Sequence, residues 1–232
     1  MPADRTMLIT GASSGIGAAT ARQAAKAGYR LVLAARSEDQ LDALAAELGG
    51  PERAIAVRTD VTEWEEQQAM VAAGIEAFGS IDVVFANAGF GGPGGFTGSD
   101  PDAWKAMVLT NVYGAALTVR ATLDHLRETQ GHILLTGSVA GRRAIPGSLY
   151  SCTKWAVTAM GEAVRGEVAG SGVRVTLIEP GIVATPFWDD GKGPIDKPLT
   201  EDDVAGAVLW ALSQPAHVDI NEILMRPSAQ AV

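Results

Sequence analysis

The segment Thr6–Gly28 reads TMLITGASSGIGAATARQAAKAG and combines three patterns. Its opening apolar run is typical of a strand that is buried on both faces, as in a parallel sheet. The alanine-rich residues after Gly17 favour a helix, which Gly28 can end. Between strand and helix, Gly11, Gly15 and Gly17 would let the backbone approach a pyrophosphate, to which the helix N-terminus offers free N–H groups. The segment therefore predicts a dinucleotide site, although a tight turn without a ligand has the same pattern.

The same alternation of apolar runs and helical patterns continues along the chain. Strands are predicted at Thr6–Thr10, Tyr29–Ala34, Ala54–Arg58, Ile81–Ala86, His132–Thr136, Val173–Ile178 and Ile220–Met225. Helices are predicted at residues 18–28, Ser37–Leu48, Thr62–Phe78, Ser148–Ser171 and Thr200–Ser213, and Asp102–Thr129 is predicted as one long helix or two joined ones. This order predicts an α/β fold, a doubly wound parallel sheet of about seven strands with helices on both faces. Ligands of such sheets bind beyond the carboxyl ends of the strands.

Several local signals refine these elements. Ser37 and Gln40 are spaced as a capping box, and Thr62 and Thr200 are suitable helix caps. The glycine-rich stretch from Phe90 to Asp100 predicts a mobile loop, and the stretch from Thr185 to Leu199 predicts an irregular one.

Composition limits the class of protein. The chain has 232 residues, of which 47% are hydrophobic, so one α/β domain over residues 1–232 can bury a large core. A net charge of -9 argues against nucleic acid as a partner, because phosphate backbones require a basic surface. This net charge does not exclude a small phosphorylated ligand that is held by a local arginine.

Other classes of site and location are also disfavoured. Cys152 is the one cysteine, which excludes an intramolecular disulfide and fits a reducing compartment. The three histidines show no metal-ligand spacing. The N-terminal residues lead straight into the first strand rather than forming a signal peptide, and no apolar run of about 20 residues could span a membrane. We therefore expect a cytoplasmic protein without metal.

Arg36 follows the second predicted strand, where many dinucleotide folds carry an acidic residue for the ribose hydroxyls. An arginine at this point instead accommodates a 2′-phosphate. The position therefore favours NADP(H) over NAD(H), although a solvated arginine ahead of a helix would look the same.

Tyr150 and Lys154 lie on one face of their predicted helix, because their spacing matches one helical turn. A nearby ammonium stabilises a phenolate, so we expect Lys154, together with a positively charged cofactor ring, to lower the Tyr150 pKa. The pair then predicts proton transfer to or from an oxygen, with two ordinary helix residues as the alternative. Ser138 lies just past the fifth strand. Asp60, Asn87 and Pro180-Gly181 follow other strands, so all of them should meet at the ligand-binding edge.

Taken together, these motifs resemble the short-chain dehydrogenase/reductase family in its small, single-domain form, from about Thr6 to Gln230. The family's glycine motif matches Thr10–Gly17, its Asn-Ala-Gly motif matches Asn87–Gly89, and its Pro-Gly motif matches Pro180-Gly181 with Thr185 beyond it. Its four catalytic positions match Asn111, Ser138, Tyr150 and Lys154. The resemblance implies a Rossmann-like sheet.

The resemblance also implies a role for each catalytic residue. Tyr150 would be the general acid in carbonyl reduction, and Ser138 would bind the substrate oxygen. Lys154 would hold the nicotinamide ribose and lower the Tyr150 pKa. Asn111, which the sequence alone would assign to the surface or to a core hydrogen bond, would place a water that links Lys154 to solvent.

Further contacts follow from the same resemblance. Asp60 and Val61 would contact the adenine, and Asn87 the adjacent ribose region. The implied cofactor contacts are Gly11, Ser13, Ser14, Gly15, Ile16, Gly17, Arg36, Asp60, Val61, Asn87, Ala88, Gly89, Tyr150, Lys154, Pro180, Gly181, Ile182 and Thr185. The implied substrate contacts are Ser138, Ala140, Ile145, Tyr150 and Phe187.

The resulting prediction is an NADP(H)-dependent oxidoreductase that interconverts a ketone or aldehyde with a secondary alcohol or hydroxy acid. Ser14 departs from the family, because NADP-preferring members often carry a basic residue there, so an NAD(H)-preferring enzyme remains an alternative. A non-catalytic NADP-binding sensor or scaffold and an epimerase or dehydratase are further alternatives. The resemblance also implies a homotetramer or homodimer formed through the helices that bear Asn111 and Tyr150.

Two features near the substrate have open interpretations. Phe187 and Trp188, in the cavity loop from Phe187 to Ile195, are either an apolar lid or packing residues. Arg142 and Arg143 could bind a substrate carboxylate, pair across a subunit contact or lie in solvent.

Overall fold

A computed structural model describes residues 4–92, 94–188, 191 and 193–231. Its centre is one seven-stranded sheet in the order β3-β2-β1-β4-β5-β6-β7, in which every neighbouring pair is parallel. The strands are β1 Thr6–Thr10, β2 Arg30–Ala35, β3 Ala54–Arg58, β4 Val83–Ala86, β5 His132–Thr136, β6 Arg174–Pro180 and β7 Glu222–Met225. The strand order reverses direction beside β1, which confirms the predicted doubly wound, Rossmann-like sheet.

Helices cover both faces of the sheet. They are α1 Gly15–Lys26, α2 Glu38–Glu47, α3 Trp64–Phe78, α4 Pro101–Val108, α5 Ala115–Thr129, α6 Leu149–Val168 and α7 Glu201–Leu212. A π-helical turn, Leu109–Gly114, joins α4 to α5, so the stretch from Asp102 to Thr129, predicted as one long helix or two joined ones, forms two helices with this turn between them. No helix in the described ranges is long and apolar enough to cross a bilayer.

Two apolar cores form because consecutive strand residues point to opposite faces of the sheet. Met7 and Ile9 belong to the core beneath α1, α2 and α7. Leu8, between them, belongs to the core beneath α3, α5 and α6. All five residues of β1 are buried, as the continuous apolar run predicted.

The ends of several elements differ from the sequence predictions. Strands β2, β4, β6 and β7 begin one or two residues later than predicted, and β6 also continues through Glu179 and Pro180, beyond its predicted end at Ile178. Both residues remain in the ladder because Glu179 and Pro180 pair with Leu224 and Met225 of β7. This longer strand carries the Pro180-Gly181 turn to the edge where the other strands end.

Two of the three predicted helix caps are wrong. Ser37 makes no side-chain hydrogen bond at the start of α2, so the capping box with Gln40 does not form. Helix α3 begins after Glu63, because the hydroxyl of Thr62 donates to Asp60 Oδ1 over 2.8 Å instead. The predicted cap at Thr200 is confirmed, as a reciprocal capping box with Asp203.

Candidate active site

The turn after β1 is built from close backbone contacts. Gly11 and Gly15 have φ values of +67° and +59°, which favour glycine. A Cβ atom on Gly17 would lie 2.2 Å from the carbonyl oxygen of Gly11, so α1 packs against the turn only because this residue has no side chain. The free N–H groups at the start of α1 therefore face the edge of the sheet, an arrangement that suits a pyrophosphate.

Asn87 ties this turn to two neighbouring strands. Its Nδ2 donates to the carbonyl oxygens of Thr10 and Gly11 over 3.1 and 3.3 Å, and its Oδ1 accepts from the Thr136 hydroxyl over 3.1 Å. The side chain thus binds protein groups, and it shapes the wall of the site predicted to hold a ribose.

A cavity of about 740 Å³ lies along the carboxyl ends of the strands. It begins beside Arg36 and Asp60, passes the glycine turn and ends beneath Phe187 and Trp188. All predicted cofactor and substrate residues line it except Gly17, which packs behind the turn. The volume lies within the range of about 300–1,000 Å³ that is common for small-molecule sites.

The tail after β7 adds a residue that the sequence prediction missed. Gln230 lines the cavity, and its Oε1 accepts the backbone N–H of Ile182 over 2.9 Å. No motif marks this position, since it follows the last strand and reaches the site only through the fold.

Ser138 and Tyr150 meet at the centre of the cavity. Ser138 begins a short 3₁₀ turn, Val139–Gly141, and its Oγ accepts the N–H of Ala140 over 3.1 Å. Burial raises the pKa of Tyr150 to about 12, although its hydrogen bond with Ser138 acts in the opposite direction. The phenol is therefore protonated at neutral pH and can donate a proton.

Lys154 lies one helical turn beyond Tyr150 and is buried. Its Nζ donates to the carbonyl oxygen of Thr136 over 2.7 Å and lies 5.7 Å from the centre of the Tyr150 ring. Burial lowers the pKa of Lys154 to about 8. In this structure the burial of Tyr150 outweighs its polar contacts, and the predicted lowering of its pKa by Lys154 together with a positively charged cofactor ring stays a prediction.

Asn111 lies in the π-helical turn and is also buried, outside the cavity lining. Its Oδ1 accepts the N–H of Phe90 over 3.0 Å, while its Nδ2 donates to the Phe90 carbonyl and the Thr153 hydroxyl over 2.9 and 3.1 Å. The side chain therefore anchors the loop after β4 to α6. A water beside Lys154, as predicted for Asn111, stays a prediction.

Phe187 and Trp188 close the far end of the cavity through edge-to-face contacts between aromatic rings. The Phe187 ring lies 5.5 Å from the Tyr150 ring and 5.2 Å from the Trp188 ring, centre to centre. Trp188 Nε1 donates to the Val183 carbonyl over 2.9 Å, which anchors the stack. Trp188 therefore packs, and Phe187 lies against Tyr150, while a role as an apolar lid stays a prediction. In the predicted cavity loop, residues 189, 190 and 192 lie outside the described residues.

Arg142 has a different role from those predicted. Its Nε donates to both carboxylate oxygens of Glu179 over 2.8 and 2.9 Å, and its Nη2 pairs with Glu222. The Glu179 side chain is 0% exposed and also accepts from the Thr158 hydroxyl. Arg142 thus joins the Ser138 segment to β6 and β7 inside one chain, whereas Arg143 is exposed.

Arg36 and Asp60 form the opposite end of the cavity. Burial acts to raise the pKa of Asp60, but hydrogen bonds from Thr62 and the nearby charges of Arg36 and Arg58 lower it overall. Arg36 is exposed, and within the described part of the chain it makes no hydrogen bond or ion pair. Its guanidinium is therefore available to an anion at this end. No cluster of potential metal ligands occurs in the described ranges.

Comparisons with known proteins support a shared architecture. A family model described as short chain dehydrogenase matches residues 5–192. An uncharacterized oxidoreductase of Staphylococcus saprophyticus is 38% identical over 228 residues, which cover 97% of each chain. Among solved structures, an alcohol dehydrogenase from the archaeon Thermococcus sibiricus, complexed with 5-hydroxy-NADP, has a TM-score of 0.90 at 35% identity and covers 97% of each chain. The closed form of a serine dehydrogenase complexed with NADP+ has a TM-score of 0.91 at 32% identity, with 98% of this chain and 96% of that chain covered.

The Arg142–Glu179 pair generates a prediction about stability and pH. Burial raises the pKa of Glu179, and Arg142 opposes this effect, so Arg142→Met should raise that pKa further. A carboxyl group with a raised pKa binds its proton more tightly in the folded state, so its stabilisation is present at low pH and is lost as pH rises through the folded pKa. We expect the variant to lose about 2 kcal/mol near pH 8 and less near pH 5.

Thermal unfolding between pH 5 and pH 8 measures this difference. Arg143→Met is the matched control, because Arg143 is the exposed neighbour, and it should match the parent protein at every pH. An equal loss for Arg142→Met at both ends of the pH range would contradict the prediction.

Proposed function

The chain belongs to the short-chain dehydrogenase family of oxidoreductases, and from that premise we propose that it uses NADP(H) to interconvert a ketone or aldehyde with a secondary alcohol or hydroxy acid. One observation carries the proposal. Ser138, Tyr150 and Lys154 lie together in the cavity whose other part is the glycine turn. A proton donor and a dinucleotide-binding turn in one cavity suit hydride transfer coupled to proton transfer.

The described residues fit a nicotinamide dinucleotide. The turn from Gly11 to Gly17 exposes backbone N–H groups at the start of α1, where a pyrophosphate would bind. Asp60 and Val61 line the part suited to adenosine, and Ile182 and Thr185 line the part suited to the nicotinamide. When bound, this cofactor would supply or accept the hydride.

The chemistry of the chain's own residues follows from their protonation. In the direction of reduction, the substrate carbon gains a hydride while Tyr150 Oη gives its proton to the carbonyl oxygen. The Ser138 hydroxyl donates a hydrogen bond to the same oxygen and stabilises its developing charge. A phenolate is then left on Tyr150, and the Lys154 ammonium stabilises it from the next helical turn. Solvent protons restore the phenol, and a water held near Asn111 is part of this proposal.

Arg36 supports NADP(H) over NAD(H). It lines the cavity beside Asp60, where the adenosine ribose would lie, and its guanidinium suits a 2′-phosphate. Two structures similar to this chain contain 5-hydroxy-NADP and NADP+. Ser14 supplies no positive charge of its own, so the preference depends on Arg36 and an NAD(H)-preferring enzyme is the alternative.

A non-catalytic sensor on the same fold is the rival function. Such a protein would need the glycine turn but no proton donor. The protonated Tyr150, its hydrogen bond with Ser138 and the buried Lys154 favour an enzyme.

The proposal includes a homodimer or homotetramer. Val108, Leu109, Tyr113 and Trp155 are exposed large apolar residues on α4, the π-helical turn and α6. These segments pack against one another, so a second copy could cover them together. A cytoplasmic location is also proposed, on the basis of the single cysteine, and fractionation of the source cells would check it.

Tyr150→Phe removes the proposed proton donor but keeps the ring beneath Phe187. We expect kcat to fall by about 100- to 10,000-fold, in line with the usual contribution of general acid catalysis. Cofactor affinity, measured by nicotinamide fluorescence, should change little. Tyr113→Phe is the control, because Tyr113 is exposed on the π-helical turn, and it should retain full turnover. Unchanged turnover in Tyr150→Phe would refute the role of the phenol.

Arg36→Ala removes the proposed phosphate contact. We expect the Kd for NADPH to rise by about 10- to 100-fold, the range for a lost charge-assisted hydrogen bond, with little change for NADH. Arg58→Ala is the matched control, because Arg58 is a neighbouring arginine that pairs with Glu66 outside the cavity. Equal losses for NADPH and NADH in Arg36→Ala would refute the role of Arg36 in cofactor choice.

Light scattering tests the assembly. We expect the mass of a dimer or tetramer at micromolar concentration, and Trp155→Glu should dissociate the proposed contact through α4, the π-helical turn and α6 because it would bury a charge there. Trp210→Glu, on α7, is the control and should leave at least a dimer. A monomeric parent protein would overturn the proposal.

A further inference from the structure

The cavity divides into regions of different charge. Among its described lining residues, the charged side chains are Arg36 and Asp60 at one end and Lys154 near the centre. Lys154 donates to the Thr136 carbonyl and lies beside the nicotinamide part of the site. Beyond Tyr150, the described lining is uncharged and mostly apolar: Phe90, Val139, Ala140, Ile145, Phe187 and Trp188.

Arg142 directly follows the Ser138 turn, so it is the cation that could have given the region beyond Tyr150 a positive charge. Its guanidinium instead pairs with the buried carboxylate of Glu179 and with Glu222. A substrate carboxylate would have to compete with two carboxylates of the protein for this one side chain. Arg143 is exposed and outside the described lining of the cavity.

The mouth of the substrate region exposes apolar surface. Ile145 and Phe187 are 46% and 43% exposed, and the Phe187 ring lies against Tyr150. A Cβ on Gly91 would lie 2.3 Å from Phe187 Cζ, so the missing side chain lets the ring lie over the site. An apolar substituent held between these side chains would remove hydrophobic surface from water and would stabilise the complex.

We propose that the substrate is an uncharged ketone or secondary alcohol with an apolar, aromatic-sized substituent, rather than an oxo acid or hydroxy acid. This inference rests on the proposed function and narrows it. A carboxylate in the region beyond Tyr150 would lose its hydration without gaining a cation among the described residues, and this loss disfavours binding. The net charge of -9 also provides no general attraction for anionic substrates.

Matched pairs of carbonyl compounds test the inference in NADPH-dependent kinetics. The first pair is 4-methylacetophenone and 4-acetylbenzoate, and the second is butanone and pyruvate. We expect kcat/KM to be at least about tenfold higher for the uncharged member of each pair, which corresponds to about 1.4 kcal/mol. Within the uncharged compounds, the aromatic ketone should be preferred.

Variants of the mouth separate charge from shape. Ile145→Lys adds a cation there and should reduce the discrimination against 4-acetylbenzoate, whereas Ile145→Met should preserve it. Phe187→Ala should lower kcat/KM more for 4-methylacetophenone than for butanone.

The outcomes distinguish this inference from the proposed function. Equal or faster reduction of the carboxylated compounds would overturn the inference while leaving the oxidoreductase intact. If no ketone, aldehyde, oxo acid or sugar is reduced with NADPH or NADH, the proposed function fails and the inference fails with it.

Discussion

The close contact between the glycine turn and the strands beside it is the constraint on which the site depends. The Cβ atom that Gly17 lacks would overlap the Gly11 carbonyl, and one on Gly11 would lie 2.9 Å from the Cα of Ala88. Helix α1 can therefore begin directly above the ends of β1 and β4, and Asn87, just after β4, donates hydrogen bonds across the gap to Thr10 and Gly11. Because all seven strands are parallel, the same edge also receives the ends of β2, β3, β5 and β6.

Buried polar contacts determine the positions of the reacting groups at that edge. Lys154 reaches from α6 to the Thr136 carbonyl at the end of β5, while Asn111 connects α6 to the loop after β4. Arg142 and Glu179 join the segment after Ser138 to β6. Each bond links elements that are distant in sequence. In the proposed reaction, this arrangement would preorganise the groups that act on the substrate oxygen.

The sequence predicted the parts of the structure that depend on short-range patterns. The strands, the glycine turn and the shared face of Tyr150 and Lys154 follow from periodicity and helical spacing. Pairings between distant residues were not predicted. Arg142 finds Glu179 and Glu222 only after β6 and β7 have joined the sheet, and Gln230 reaches Ile182 only because the tail returns to the cavity.

The two wrong helix caps and the raised pKa of Tyr150 have the same cause, because in each case the folded surroundings outweigh the local sequence pattern. Ser37 and Thr62 have side chains that suit a cap, but the local backbone and the nearby Asp60 carboxylate give them other geometry. For Tyr150, sequence spacing revealed the neighbouring ammonium but not the degree of burial, which has the larger effect on the pKa. Propensity identifies the groups that can interact, whereas tertiary structure decides which interaction prevails.

The opposite pKa shifts of Tyr150 and Lys154 have one consequence for the chemistry. Burial favours the neutral form of both groups, since it raises the pKa of the acid and lowers that of the base. A phenolate beside an ammonium costs less free energy in these buried surroundings than either charge would cost alone. At neutral pH Lys154, with a pKa of about 8, is still mainly an ammonium, whereas Tyr150, with a pKa of about 12, is a neutral phenol. In the proposed reaction, the ammonium is thus already in place beside the phenol to stabilise the phenolate that forms when the substrate oxygen takes the proton.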